Sequence, residues 1–272
     1  MESIFSLIKE RLRDPLEVME SVGRCIYCGS QRHSKQRDQL SDEHVIAYSI
    51  GGKILLPNSS CAHCERITGS TERWFARKLL GASRAVAGFP TRRQSERDQT
   101  IFMEVIRQGI YSLEEINIDE LPFIVTLPNF QLAGIFFNKK PSVNFPKGEI
   151  KVGLITTKPN SLFHQSMKIP FDYNPTNMCR VLAKIAHSYV SGKIGLNKFI
   201  PLLLPSIFGT SDAYTYFVGG SRRPGITVRN ELHTLEAFQW NIRGCIYYVV
   251  RIQMFACLGM PAYDVVAGIV SD

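Results

Sequence analysis

Apolar positions along the chain fall into stretches of different period. Near the start, Phe5, Ile8 and Leu12 recur at helical spacing. They predict a helix within residues 2–20 that Pro15 ends or restarts. Residues 41–46, SDEHVI, read as the end of a short strand, Gly51-Gly52 as a turn, and Ile54, Leu55 and Leu56 as a second strand. A helical stretch opens at Cys61. Ser70 or Thr71 offers a later cap with Glu72 in its first turn, and Trp74, Phe75, Leu79 and Leu80 form a buried stripe behind it. Residues 81–88, with their glycines, loosen that helix, and residues 90–97 read as a linker.

From about residue 99 the pattern becomes β-rich. Runs at 100–105, 123–127 and 150–157 are punctuated by Pro122, Pro128, Pro141, Pro146 and Pro159. A helix follows. Asn174 suits its cap and Pro175 its first position, and Met178, Val181, Leu182, Ile185 and Tyr189 repeat at helical spacing. Residues 196–208 make a shorter helical piece broken near Pro201 and Pro205. Residues 215–218 and 232–258 read as strands, with 246–250 the strongest. The fold class expected is α+β, with a helix over 1–20, a first module over 21–98 and a second, α+β domain over 99–272.

Charge is unevenly spread. The chain has 272 residues and a formal net charge of +8, which favours a polyanionic partner. Residues 38–65 are acidic. Arg66, Arg73, Arg77, Lys78, Arg84, Arg92, Arg93 and Arg97 follow, against only Glu72 and Glu96. Arg66, Arg73, Arg77 and Lys78 are the candidates for nucleic-acid contacts, because phosphate contacts supply affinity without reading sequence. Seven cysteines with paired spacing fit a reducing, cytoplasmic location with bound metal. No leader is expected, since residues 4–8 are too short an apolar run. No membrane partner is expected either, since Arg251 interrupts the longest apolar stretch.

The candidate chemistry lies between Cys25 and Cys64. Two Cys-x-x-Cys pairs, Cys25/Cys28 and Cys61/Cys64, match the ligand set of a closed structural zinc site. The 32 residues between them exceed the usual ribbon spacing of roughly 15–20, and they contain Asp42, Glu43 and His44. The stretch Glu43-His44-Val45-Ile46, Gly51-Gly52, Asn58 and Cys61-x-x-Cys64, together with Cys25-x-x-Cys28, resembles an HNH endonuclease, the ββα-metal fold, over residues 21–75. The resemblance implies an N-terminal ββα-metal zinc module. It implies that His44 is the general base and that Glu43 holds a catalytic divalent cation, Mg²⁺ or another. Asn58 would brace the His44 backbone. Glu65 would take the third motif position as a second cation ligand, with Glu72 the weaker candidate for that role. It further implies phosphodiester hydrolysis in nucleic acid, DNA first. The arrangement also looks similar to bacterial HNH proteins that carry such a second domain after the nuclease module, some of them linked to defence against phage or mobile DNA. A zinc knuckle that binds nucleic acid or protein without cutting remains the other function class, and Glu65 is the feature favouring it.

The remaining polar residues read as structural. His33 lies in a basic insert. His164, His187 and His233 are scattered, and Cys179, Cys245 and Cys257 lack ligand spacing and read as buried apolar residues. Arg222-Arg223 precede a Pro-Gly turn.

Overall fold

The computed structural model describes residues 2–31, 40–91, 99–139, 149–155, 166–168, 174–211, 213–221 and 230–271. His33, His164, Arg222, Arg223 and most of the expected linker at 90–97 lie outside them. The architecture is α+β, as the strand–helix–strand pattern implies.

The first part of the chain builds the expected strand–strand–helix unit. Helix α1 (Glu2–Arg11) leads to a short strand β1 (Glu17–Val18), which the pattern does not signal. Strands β2 (Ser41–His44) and β3 (Ile54–Ser60) form an antiparallel pair, and β1 runs parallel to β3 on its other side. Gly51, at φ +88°, and Gly52 turn the chain between β2 and β3. A side chain at Gly52 would stand 1.8 Å from the Ile46 carbonyl oxygen, so only glycine fits. Helix α2 (Ala62–Trp74) starts from Cys61 at its N-cap and runs without a break through Ser70 and Thr71. These two are therefore helix-interior residues and not a cap: Ser70 Oγ donates back to the Ile67 carbonyl at 2.7 Å. One π-helical turn (Phe75–Leu79) follows; the run is then interrupted at Leu80 and Gly81, the latter at φ +43°, before α3 (Gly81–Val86), and Gly88, at φ +73°, follows the end of α3, so the glycines loosen the helix as expected. Phe75, Leu79 and Leu80 are buried, and Trp74 packs half-buried against the same core.

The second part holds three further sheets. Strands β4 (Thr100–Arg107) and β5 (Ile110–Asn117) make a hairpin, β6 (Phe123–Asn129) pairs with β7 (Glu149–Ile155), and β8 (Ser166–Lys168) joins β4. Helix α4 (Pro175–Lys193) begins as its sequence implies: Asn174 Oδ1 accepts from the Asn177 amide at 2.9 Å, with Pro175 in the first turn. Strand β9 (Phe199–Pro201) and helix α5 (Leu204–Phe208) follow. Of residues 215–218, expected as strand, 215–217 belong to a helical turn, α6 (Tyr214–Phe217), and Val218 opens β10 (Val218–Gly220). Strands β11 (His233–Ile242), β12 (Cys245–Met254) and β13 (Ala262–Val270) complete a sheet ordered β10-β13-β12-β11, with β9 also on β13. Arg251, the charge that interrupts the apolar run in β12, makes a two-bond pair with buried Asp264 on β13 at 2.9 and 3.1 Å. Cys179 and Cys257 are buried, as expected, while Cys245 is half-buried.

Helix α4 connects the two parts. It packs on β12 and β13 on one side and on α2 on the other. One apolar core runs from Ile8 through Cys25, Leu56 and Phe75 to Leu182, Val250 and Tyr263. Burial of that shared apolar surface fixes the strand–strand–helix unit against α4. No described helix is long and apolar enough to cross a membrane.

Candidate functional site

The cysteine site is built from two local structures. Residues 25–30 form a tight turn, in which the Cys25 amide donates to the Ser30 carbonyl and Gly29 N–H to the Cys25 carbonyl, both at 2.9 Å. Cys61 and Cys64 come from the first turn of α2, where the Glu65 amide donates to the Cys61 carbonyl at 2.9 Å. The four sulfurs lie within 4.8 Å of one another, and this is the one such group of His, Cys, Asp or Glu among the described residues. Cys28 Sγ and Cys61 Sγ are 3.8 Å apart. Bonds of about 2.3 Å to a tetrahedral zinc put neighbouring sulfurs roughly 3.8 Å apart, so the donor set fits zinc. Electrostatics agree. The Cys64 thiol bonds to Cys25 and pushes the Cys25 thiol down to about 4, while the same bond pushes Cys64 up. Four sulfurs this close cannot all ionise without a cation among them.

The polar motif lies one strand away. A register shift between Ser41 and Glu43 takes Asp42 out of the β2–β3 ladder. Asp42 is exposed, and its Oδ1 accepts the Asn58 amide at 3.0 Å. Asn58 itself is exposed and left-handed, at φ +47°. Glu43 points inward and is 6 % exposed. Burial raises its carboxyl to about 7, against the pull of the Lys184 ammonium. His44 is half-buried, with its ring 5.3 Å from that of Tyr48. Burial first, and Lys184 second, lower its pKa, so the imidazole is neutral near pH 7. Its Nδ1 is buried with no hydrogen-bond partner among the described residues. A buried unpaired polar atom of this kind costs about 1–3 kcal/mol, a cost that a water, ion or reactant completing the set removes.

Lys184 of α4 is the residue that sequence reasoning missed. It is 3 % exposed. Its ammonium pairs with Glu43 Oε1, with Glu72 Oε1 at 2.6 Å, and with the main-chain carbonyls of His44 and, at 3.3 Å, Val45. Burial works against the charge, but Glu43 and Glu72 outweigh it and raise the Lys184 pKa. Two neighbours on the same helix face also reach the N-terminal unit. His187 Nε2 meets the Ile26 carbonyl at 2.7 Å, and Ser188 Oγ meets the buried Tyr27 hydroxyl at 3.1 Å. Positions 184, 187 and 188 are i, i+3 and i+4, and a polar triplet inside an apolar helix is the signal that was there to be read.

The expected site residues separate accordingly. Glu43, His44 and Glu72 converge on the Lys184 neighbourhood. Glu65, one helical face but two turns away from Glu72, accepts instead from Ser41 Oγ at 2.8 Å. The His44 carbonyl, which Asn58 was expected to secure, is held by Lys184. Arg66, Arg73, Arg77 and Lys78 are all exposed along α2 and the π-turn. Arg84 is committed elsewhere, to the Ser49 and Pro90 carbonyls.

Residues 25–79 match a family described as HNH endonuclease. No curated protein and no solved structure matches the chain. The match covers the two cysteine pairs, the β2–β3 hairpin and α2, and it supports a nuclease-like zinc module at the level of the family.

Proposed function

We propose that this chain is an endonuclease that hydrolyses phosphodiester bonds in nucleic acid, with DNA as its substrate and His44 as its general base. The observation that carries the reading is a neutral imidazole whose buried Nδ1 has no partner among the described residues, set near the Glu72 and Asp42 carboxylates within the HNH-matching segment. In this scheme His44 takes a proton from water as the water oxygen bonds to phosphorus. The P–O3′ bond breaks, and the 3′ oxygen leaves and takes a proton from solvent. The exposed basic edge formed by Arg66, Arg73, Arg77 and Lys78 holds the flanking phosphates. Zinc, when bound by Cys25, Cys28, Cys61 and Cys64, is closed off and structural, and fixes the knuckle turn against the start of α2.

The catalytic Mg²⁺ implied by the resemblance does not fit the residues assigned to it. Glu43 is ion-paired with Lys184, and Glu65 bonds to Ser41. The occupied state of Glu43 also favours a second reading, in which the module binds nucleic acid and does not cut it.

One assay separates the two. Supercoiled plasmid is incubated with the wild type and with His44→Ala, with and without Mg²⁺ or Mn²⁺, and RNA and single-stranded DNA run in parallel. The wild type is expected to nick or linearise the plasmid. The variant is expected to remain folded and zinc-loaded while its rate falls by about 10²–10⁴-fold. Equal cleavage by both removes His44 from the chemistry. Retention of DNA by both without any cleavage selects the binding module.

A further inference from the structure

We propose that the Lys184 ammonium occupies the seat that a divalent cation would take between Glu43 and Glu72, as a resident positioning residue, so that the wild-type centre takes up no metal besides zinc. The consequence for catalysis rests on the nuclease reading above; the occupancy of the seat does not.

The donor set is the argument. Two carboxylates and two main-chain carbonyls face one nitrogen. These are the oxygen ligands that hard cations such as Mg²⁺, Mn²⁺ and Ca²⁺ select. An ammonium has three N–H donors, and the four oxygens account for all of them. Nothing is left over for solvent, in keeping with the 3 % exposure of the side chain.

The helix that carries the lysine is equally fixed. Ala183, Ile185 and Ala186 are buried beside it. His187 and Ser188, on the same face, are tied to Ile26 and Tyr27. Further along, a methyl group at Gly192 would stand 2.5 Å from Met19 Sδ, so α4 lies hard against the β1 end of the unit. The lysine is thus held from both sides as a permanent part of the site, unlike a side chain on an exposed loop that could swing clear. Through the His44 carbonyl, the same ammonium sets the main chain that carries the imidazole. Lys184 does not touch substrate in this arrangement. It keeps the carboxylates and the base in register while the exposed arginines meet the phosphates.

The test measures metal uptake and cleavage on the full, zinc-loaded chain. Wild type, Lys184→Met and Lys184→Met/Glu72→Gln are titrated with Mn²⁺ and followed by electron paramagnetic resonance. The wild type is expected to bind no Mn²⁺ tightly. Lys184→Met is expected to gain one site, and the double variant to lose it again. In parallel, wild-type cleavage is expected to survive EDTA that leaves the zinc in place. Lys184→Met is expected to lose at least 100-fold in kcat under EDTA, with KM for DNA within a few-fold, and to recover in part with Mn²⁺. A tight Mn²⁺ site in the wild type that Glu72→Gln abolishes overturns the proposal, and this measurement stands even if Lys184→Met fails to fold. A folded Lys184→Met that gains no site overturns it too. If Lys184→Met gains the Mn²⁺ site but no variant cleaves any nucleic acid, the seat stands and the nuclease reading falls.

Discussion

Acidification should weaken the joint between the last sheet and the motif turn, and His233 is where the effect can be isolated. Its Nε2–H donates to the Ile50 carbonyl at 2.8 Å, and its Nδ1 accepts the Phe255 amide at 3.3 Å. Only one neutral tautomer satisfies both. A second proton would have to go on Nδ1, against an amide N–H. Burial, opposed only by the bond to Ile50, pushes this imidazole down to about 4 from its usual 6.5. The sign follows from linkage. The folded state prefers neutral histidine, so its contribution is complete above about pH 6.5 and is lost as the pH falls toward 4. At about 1.36 kcal/mol per pH unit of displacement, the full effect is about 3 kcal/mol, and about 2 kcal/mol of it is gone by pH 5. Urea unfolding of the wild type and His233→Gln, both zinc-loaded, at pH 7.5, 6.5, 5.5 and 5.0 gives the comparison. Losses from cysteine protonation are common to both proteins and cancel in the difference. At pH 7.5 the variant should be less stable by about 1–2 kcal/mol, for its lost hydrogen bonds. By pH 5 that gap should close by about 2 kcal/mol. Stability curves that stay parallel across this range would refute the assignment of half-buried His233 as a neutral clamp.

Two further outcomes follow from the motif itself. Gly52→Ala puts a methyl carbon 1.8 Å from the Ile46 carbonyl oxygen and should cost about 3 kcal/mol in urea unfolding. Gly29→Ala, with φ +72° but nothing within 4 Å among the described residues, should cost only about 1–2 kcal/mol; equal losses would mean that the Gly52 contact relaxes freely. The purified chain should carry one zinc by elemental analysis, and a strong chelator that removes it should expose four additional reactive thiols and unfold the 25–64 region as seen by hydrogen exchange. Full retention of exchange protection after zinc removal would show that the apolar core alone holds Cys25, Cys61 and Cys64 in place.

What the sequence disclosed was local. The paired cysteines carry ligand spacing, the Gly-Gly step marks its own turn, and Asn174-Pro175 announces a helix start, because each depends on residues within a few positions of one another. What it concealed was decided at long range. Glu65 and Glu72 lie seven residues apart on one helix face, so spacing cannot rank them. Only the placement of α4, whose Lys184 meets His44 across 140 positions, distinguishes the two. The bulge that frees Asp42 to reach Asn58 likewise depends on β3. At residues 214–217 the β-favouring Thr-Tyr-Phe run forms a helical turn, a case of tertiary context overriding a weak local preference.

The polar stripe on α4 also explains why the two parts of the chain meet in one register. An apolar helix face alone can shift against a neighbouring surface at modest cost, since many packings bury similar area. Lys184, His187 and Ser188 remove that freedom. Rotating α4 by one residue, about 100°, would take the ammonium from four oxygens into apolar surroundings, and an uncompensated buried charge costs several kcal/mol. It would also separate His187 from Ile26, beside the first zinc ligand, and Ser188 from Tyr27. Ligand fixation at the knuckle, the position of the His44 main chain and the packing of the C-terminal sheet are therefore satisfied together in one arrangement of α4. Residues 25–79 hold the cysteine cluster and the Glu43-His44 motif, but their geometry is completed by a helix that begins nearly a hundred residues later in the chain.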